Sequence, residues 1–207
     1  MNPVQVIAHP LVQHHLTRLR DRRTEPQAFR RVMNELTALM VYEATRSLPT
    51  RDCPIETPLE PMVGRQLESG VALIPILRAG LGMLGSVLEM IPDCRVGFIG
   101  LKRDETTLQP TCYHLSLPPE LSRYEVILID PMLATGGSAV AALDILVKSG
   151  ARKIRQVNLL ATRQGIDLVQ KHHPNVSLYT AAIDRELDPR GYIQPGLGDA
   201  GDRLFGT

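Results

Sequence analysis

The stretch VILIDPMLATGGSAV, residues 126–140, decides the fold. An apolar run delivers Asp130 at its carboxyl end, a short loop carries Thr135, Gly136 and Gly137, and Ser138 opens a helical pattern. Strand, glycine loop, helix is the repeating unit of parallel α/β sheets. Successive N–H groups of such a loop point inward, and the helix N-terminus adds positive partial charge, so the segment suits an anion. Thr135 and Ser138 add hydroxyl donors, and glycines let the backbone approach a phosphate closely. The Lys of G-x-x-x-x-G-K-[ST] is absent, which argues against nucleoside triphosphate hydrolysis. An acid a few residues ahead of the cradle suits a sugar phosphate, because a carboxylate accepts from ribose hydroxyls while the loop holds the 5′-phosphate. The plainer alternative is a strand–turn–helix in which Ser138 merely caps.

Outward from this unit, strands and helices alternate. GVALIPIL (70–77) reads as a strand, with a helix over roughly 82–91, and RVGFIGL (95–101) as the next strand. EVILIDPM (125–132) is a continuous apolar strand, followed by a helix over 138–150 with Val140, Leu143 and Val147 on one face and Gly150 at its stop. IRQVNLLAT (154–162) is a strand, GIDLVQKHHP (165–174) a helix, and VSLYTAAI (176–183) a strand. This order predicts an α/β fold: an open, mostly parallel sheet flanked by helices, binding its ligand at the carboxyl ends of the strands. Upstream, residues 24–48 read as a long helix. Thr24 and Gln27 form a capping-box pair, Pro26 lies in the first turn, and Phe29, Val32, Met33, Leu36, Leu39 and Met40 recur at helical spacing. The basic run RLRDRR (18–23) before it reads as a solvated face, with a phosphate or partner site as the minority alternative. Residues 49–62, rich in Pro and acid, read as a loop or irregular edge. The long polar stretch 102–124 has the character of an active-site lid or extended hairpin.

Gly80, Gly82 and Gly85 match the G-x-G-x-x-G dinucleotide pattern, which raises a nicotinamide-dependent oxidoreductase as an alternative. The context differs. Arg78 and Ala79 stand between strand and glycines, and the acids at the distance expected for a ribose contact, Asp104 and Glu105, follow Lys102 and Arg103 in the polar stretch. That alternative also leaves 130–138 unexplained.

With 207 residues, 43% hydrophobic and 22% charged, the chain has the profile of one globular domain with a sizeable core. A net charge of +1 argues against nucleic acid as the partner. Cys53, Cys94 and Cys112 are odd in number and form no C-x-x-C, against a disulfide framework or zinc site. No signal peptide and no membrane-spanning run is seen, so the cytoplasm is the expected location and no membrane partner is expected. His14–His15 and His172–His173 are adjacent pairs whose side chains diverge on a helix, and they read as surface or helix-end residues.

ILIDPMLATGGS (127–138) resembles the PRPP-binding motif of type I phosphoribosyltransferases. Most of that superfamily carries two adjacent acids where this chain has Asp130 and Pro131. The Asp-Pro form is similar to that of the uracil phosphoribosyltransferases, and the resemblance extends to HPLVQHHL, YEATRSL, PILRAGLGM, YTAAID and GYIQPGLGDAGDRLFGT. It implies a single phosphoribosyltransferase domain, its core over roughly 64–180, with a small hood from roughly 1–20 and 181–207 and a mobile β-hairpin lid at about 103–115. It implies transfer of the phosphoribosyl group of PRPP to uracil, giving UMP and diphosphate. Asp130, Pro131, Met132, Leu133, Ala134, Thr135, Gly136, Gly137 and Ser138 would hold the ribose 5-phosphate. Arg78 and Arg103 would meet the diphosphate; an always-charged fork suits phosphate, whereas a buried Arg without an anion would be costly. Ile193, Gly198, Asp199 and Ala200 would line the uracil ring, and Asp199 would also meet PRPP. Asp130, Arg78, Arg103 and Asp199 are the catalytic candidates. No direct metal ligand is expected: Mg²⁺ would arrive on PRPP. The family also implies a homodimer or higher homo-oligomer, and GTP as an effector of many bacterial members. A regulatory RNA-binding protein of the same fold, the remaining alternative, would lack the GYIQPGLGDAGDRLFGT ending.

Overall fold

The structure is a computed structural model that describes residues 3–103 and 110–207. Its centre is a nine-stranded sheet. β4 (Gly70–Leu77) and β8 (Tyr124–Ile129) lie side by side in the middle. β10 (Lys153–Thr162), β11 (Ser177–Asp184) and the short β1 (Gln5–Val6) extend one flank in parallel. β6 (Phe98–Arg103) pairs in parallel with β4 on the other flank, and β7 (Pro110–Ser116) returns antiparallel to it. Two short strands complete the sheet: β5 (Arg95–Val96) on β4 and β9 (Met132–Leu133) on β10. The predicted open, mostly parallel sheet is therefore observed.

Side chains leave a strand on alternate faces, and each central strand supplies two cores. Val71, Leu73, Ile127 and Ile129 face one layer of helices: α1 (Pro10–Arg20), α2 (Pro26–Ala44), α3 (Leu81–Met90) and α6 (Ala200–Phe205). Ala72, Ile74, Val126 and Leu128 face the other layer, α4 (Gly137–Lys148) and α5 (Arg163–His172). The stripe read from α2 is the heart of the first core: Phe29, Val32, Met33, Leu36 and Met40 are fully buried. Truncating one of these to Ala costs about 3–5 kcal/mol for Phe and 2–5 for Leu or Met.

Several local expectations are corrected. Residues 49–62 are not a loop. Thr50–Glu56 (β2) and Pro61–Leu67 (β3) form an antiparallel hairpin closed by Thr57, whose hydroxyl accepts from the Glu60 N–H at 3.0 Å. Both faces of this hairpin are largely exposed, so no apolar alternation marks its strands, and Pro54 and Pro61 disguise them further. The capping box of α2 does not form. Glu25 is the N-cap, and the Thr24 hydroxyl donates instead to the Arg18 carbonyl at 2.6 Å, although Pro26 does hold the first turn. The buried stripe of α4 is Ala139, Ala142, Leu143 and Leu146, and Val147 is exposed. RVGFIGL divides at Gly97, where an added Cβ would lie 2.8 Å from Ile74, Pro118 and Ser116 atoms. EVILIDPM divides at Asp130–Pro131, between β8 and β9. No helix among the described residues is long and apolar enough to cross a membrane.

Candidate functional site

Asp130 leaves the carboxyl end of β8, and the chain then runs through β9 into a turn that becomes α4. Gly136 is the N-cap of α4 at φ +88°, a backbone that L side chains rarely adopt. An added Cβ there would lie 2.9 Å from the Gly165 carbonyl oxygen. Ser138 does not cap: it sits exposed in the first turn and lines the cavity beside the loop. Its hydroxyl is thus available to a ligand, as the sugar-phosphate reading requires.

The loop is backed by β10 and the start of α5. Thr162 caps α5 by accepting from the Gly165 N–H at 3.0 Å, and its hydroxyl donates to the Ala134 carbonyl at 2.6 Å. Asn158 donates to the Asp130 carbonyl at 2.6 Å and accepts from Gln156 at 2.9 Å. These buried polar residues turn the loop carbonyls inward to the protein, leaving its other face to the cavity. Sequence reading missed them. The signal was two amides, Gln156 and Asn158, inside a strand otherwise apolar.

Arg78 follows β4, after a cis Leu77–Arg78 peptide. It is exposed, so the cost of a buried cation without an anion does not arise here. It lines a concavity of about 550 Å³ together with Lys102 and Tyr113. Gly80 shapes the loop: an added Cβ would lie 2.7 Å from the Ile76 carbonyl and 2.9 Å from that of Ile129. At Gly82 it would meet Met33 Sδ at 2.5 Å, so α3 packs closely on α2 there. Gly85 has only an ordinary 3.6 Å neighbour, so close packing does not demand glycine at that position. The backbone of Arg103 pairs with Pro110 in the β6–β7 hairpin. Residues 104–109 of the expected lid lie outside the described residues.

The third wall comes from the distant segment 184–201. β12 (Glu186–Leu187) and β13 (Ile193–Gln194) form a two-stranded sheet, and a turn through Gly196, Leu197 and Gly198 leads to Asp199, the N-cap of α6. Asp199 accepts from the Asp202 N–H at 2.9 Å. Tyr192, which sequence reading passed over, reaches Asp199 Oδ2 with its hydroxyl at 3.5 Å. An aromatic in a glycine-rich polar segment was its one signal. Behind the turn, Arg20 and Asp184 form a bidentate pair, both distances 2.7 Å. Arg20 therefore leaves the solvated face assigned to the basic run.

These walls enclose a cavity of about 310 Å³, lined on one side by Asp130, Met132, Ala134 and Ser138 and on the other by Tyr192, Ile193, Gly198, Asp199 and Ala200, with Ala79 between. The structure thus gathers the 130–138 loop and the 193–200 segment into one site. Arg78 lines the adjoining concavity. Asp130 is half-buried and faces the cavity. Desolvation pushes its pKa up from 3.8 to about 8, opposed only by a hydrogen bond from the Met132 N–H. An acid held neutral in this way ionises when a cation-bearing ligand arrives. Among the described residues no three His, Cys, Asp or Glu side chains group to hold a metal. Two carboxylates on one cavity fit a cation that brings most of its oxygens with the substrate, as Mg²⁺ on a phosphate ester does.

The uracil phosphoribosyltransferase family model matches residues 6–207. A uracil phosphoribosyltransferase of Dictyoglomus turgidum is 51% identical over 99% of each chain. One of Latilactobacillus sakei subsp. sakei is 52% identical over 98% of this chain and 97% of its own. The solved AQ2163 protein of Aquifex aeolicus superposes with a TM-score of 0.94 at 34% identity, covering 98% of both chains. A hypoxanthine-guanine phosphoribosyltransferase of Bacillus anthracis shares the fold, at a TM-score of 0.52 and 11% identity over 75% of this chain and 79% of that one.

Proposed function

The chain belongs to the uracil phosphoribosyltransferase family, and from that membership we propose how its residues divide the work. The enzyme transfers the phosphoribosyl group of PRPP to uracil, giving UMP and diphosphate, a salvage reaction. The observation that carries the division is the shared cavity, with a glycine-loop anion cradle on one wall and a glycine-rich turn on the other.

The backbone N–H groups and hydroxyls of 130–138 bind the ribose 5-phosphate at the N-terminus of α4. Asp130 accepts from the ribose hydroxyls once ionised. Arg78 and Arg103 hold the diphosphate and stabilise its departing charge. Ile193 packs on the uracil ring, while the backbone around Gly198, Asp199 and Ala200 reads its donor between two carbonyls. Cytosine presents a reversed edge and would leave buried groups unpaired. Asp199 also meets PRPP and orients the base toward the anomeric carbon. Displacement there has oxocarbenium character, and the β6–β7 hairpin closes over it to exclude water. Asp130 and Asp199 would hold the Mg²⁺ that arrives with PRPP, and the cation would supply positive charge to the diphosphate and ribose oxygens.

A homodimer or higher homo-oligomer is supported by the β2–β3 hairpin, which exposes Ile55 and Met62 as a cross-strand pair and Leu59 at its tip. GTP as an effector is carried over from the family alone. A cytoplasmic setting is supported by three free cysteines. The deciding experiment is incubation of the purified chain with uracil and Mg-PRPP, with and without GTP. UMP formation is the expected result, and no turnover by a folded sample refutes the reading. Saturable quenching of NADH at micromolar levels would instead favour the oxidoreductase.

A further inference from the structure

Gly196 is the tightest point of the turn on the base side of the cavity. Its φ is +58°, and an added Cβ would lie 2.0 Å from the Ile193 carbonyl oxygen. Both of its peptide groups are held by side chains from elsewhere in the fold. Its N–H donates to Asp184 Oδ2 at 2.9 Å, and its carbonyl accepts from Arg20 Nη1 at 2.8 Å. The same Nη1 donates to Asp184 Oδ2 and Nη2 to Oδ1, both at 2.7 Å, so the two side chains and one glycine close a ring of hydrogen bonds. Arg20 ends α1 and Asp184 ends β11; neither lines the cavity.

We propose that Arg20 and Asp184 are positioning residues for the nucleobase: they set the turn through Gly196 so that Ile193, Gly198 and Asp199 face the ring. The inference rests on the reading that residues 193–200 take the base. The Asp184 side chain is 6% exposed and that of Arg20 is 24%. A buried ion pair of this kind contributes little net stability against an apolar replacement, because desolvation offsets the attraction. Its effect is geometric. A planar guanidinium bonds a carboxylate through two parallel N–H groups and fixes its plane, which an ammonium cannot do. Asp184 adds the Gly196 N–H, and Arg20 the Gly196 carbonyl, so the glycine can neither flip its peptides nor slide along β13. A site that reads a flat ring with backbone groups tolerates little displacement of that backbone. The 130–138 cradle is backed by Asn158 and Thr162 instead, so the pair reaches PRPP only through Asp199 and acts chiefly on the base.

The test uses steady-state kinetics on the full chain. Arg20→Met combined with Asp184→Asn removes both charges together and leaves no buried ion unpaired. It is expected to raise the KM for uracil at least tenfold at saturating Mg-PRPP, with the KM for PRPP rising by a clearly smaller factor through Asp199. Arg20→Lys, which keeps the charge and loses the fork, is expected to fold and to raise the uracil KM by a smaller factor, again more than that for PRPP; it carries the test should the double variant not fold. A uracil KM within twofold of native in a folded variant overturns the proposal, as does a parallel rise in both KM values. Asp199→Asn and Ile193→Asp separate the premise from the inference. If they leave the uracil KM unchanged, the base binds elsewhere and the positioning role falls with it. If they raise it while the Arg20 and Asp184 variants do not, only the positioning role falls.

Discussion

The Thr162 hydroxyl donates to the Ala134 carbonyl at 2.6 Å while accepting from the Gly165 N–H at 3.0 Å, so one side chain caps α5 and holds the back of the 130–138 loop. The residue is 2% exposed, so neither partner finds water in its place. Thr162→Val keeps the shape and removes both bonds. The expected cost is about 1–3 kcal/mol, a Tm lower by roughly 2–12 °C for a chain of this length. Thermal unfolding measures that loss, and kinetics should show the KM for PRPP rising more than that for uracil.

Asp130 is neutral in the unliganded protein at pH 7, its pKa being pushed up to about 8 by desolvation. Binding of Mg-PRPP brings a cation and hydroxyl donors to it and favours the carboxylate. Binding at pH 7 is therefore expected to release a proton, measurable as a dependence of calorimetric binding enthalpy on buffer ionisation. Asp130→Asn should abolish both the proton release and most of the activity while the fold is retained.

The same group makes stability depend on pH. Its folded pKa lies above its unfolded value near 3.8, so the native state binds more protons between the two. The contribution is full below pH 3.8 and is lost as pH rises toward and through 8. Asp130→Asn lacks this dependence. Its Tm relative to the native chain is expected to rise between pH 5 and pH 8, by at least ~2 °C, the shift that about 1 kcal/mol produces. A Tm difference that stays flat would show that the carboxyl is ionised throughout.

Gly136→Ala places a Cβ 2.9 Å from the Gly165 carbonyl on a backbone at φ +88°. The left-handed conformation alone costs an L residue roughly 1–2 kcal/mol. The turn is expected to open, with the KM for PRPP rising at least tenfold in kinetic assays while circular dichroism stays native.

Arg203, on α6, donates to the carbonyls of Leu19, Leu197, Asp21 and Thr24, and its guanidinium lies 4.4 Å from the centre of the Phe29 ring. Arg203→Met leaves these carbonyls short of donors in a partly buried place. Thermal denaturation is expected to register a loss of at least about 2 kcal/mol, or roughly 4–8 °C.

The parallel sheet and the phosphate cradle were legible because they are local. A continuous apolar strand, a glycine turn and a helical pattern lie within fifteen consecutive residues, 126–140. The β2–β3 hairpin was not legible because strand periodicity reports a buried face, and this hairpin buries almost none. Arg20 looked like one more cation in a basic run. Its partners, Asp184 and Gly196, lie 164 and 176 residues away, and nothing local to residues 18–23 distinguishes it from Arg22 or Arg23.

The clasp made by Arg203 sets an order of assembly. Its acceptor at Leu19 is synthesised 184 residues earlier, and that carbonyl waits for it. The parallel sheet and the phosphate cradle are complete by residue 184, so a growing chain can possess them before the segment that closes the cavity exists. A chain interrupted between those points would hold a sugar phosphate against bulk water with no nucleobase to accept it. The residues that complete the base side also clasp the α1–α2 turn, so such a fragment leaves that edge of the helical layer uncovered and open to chaperones and proteases.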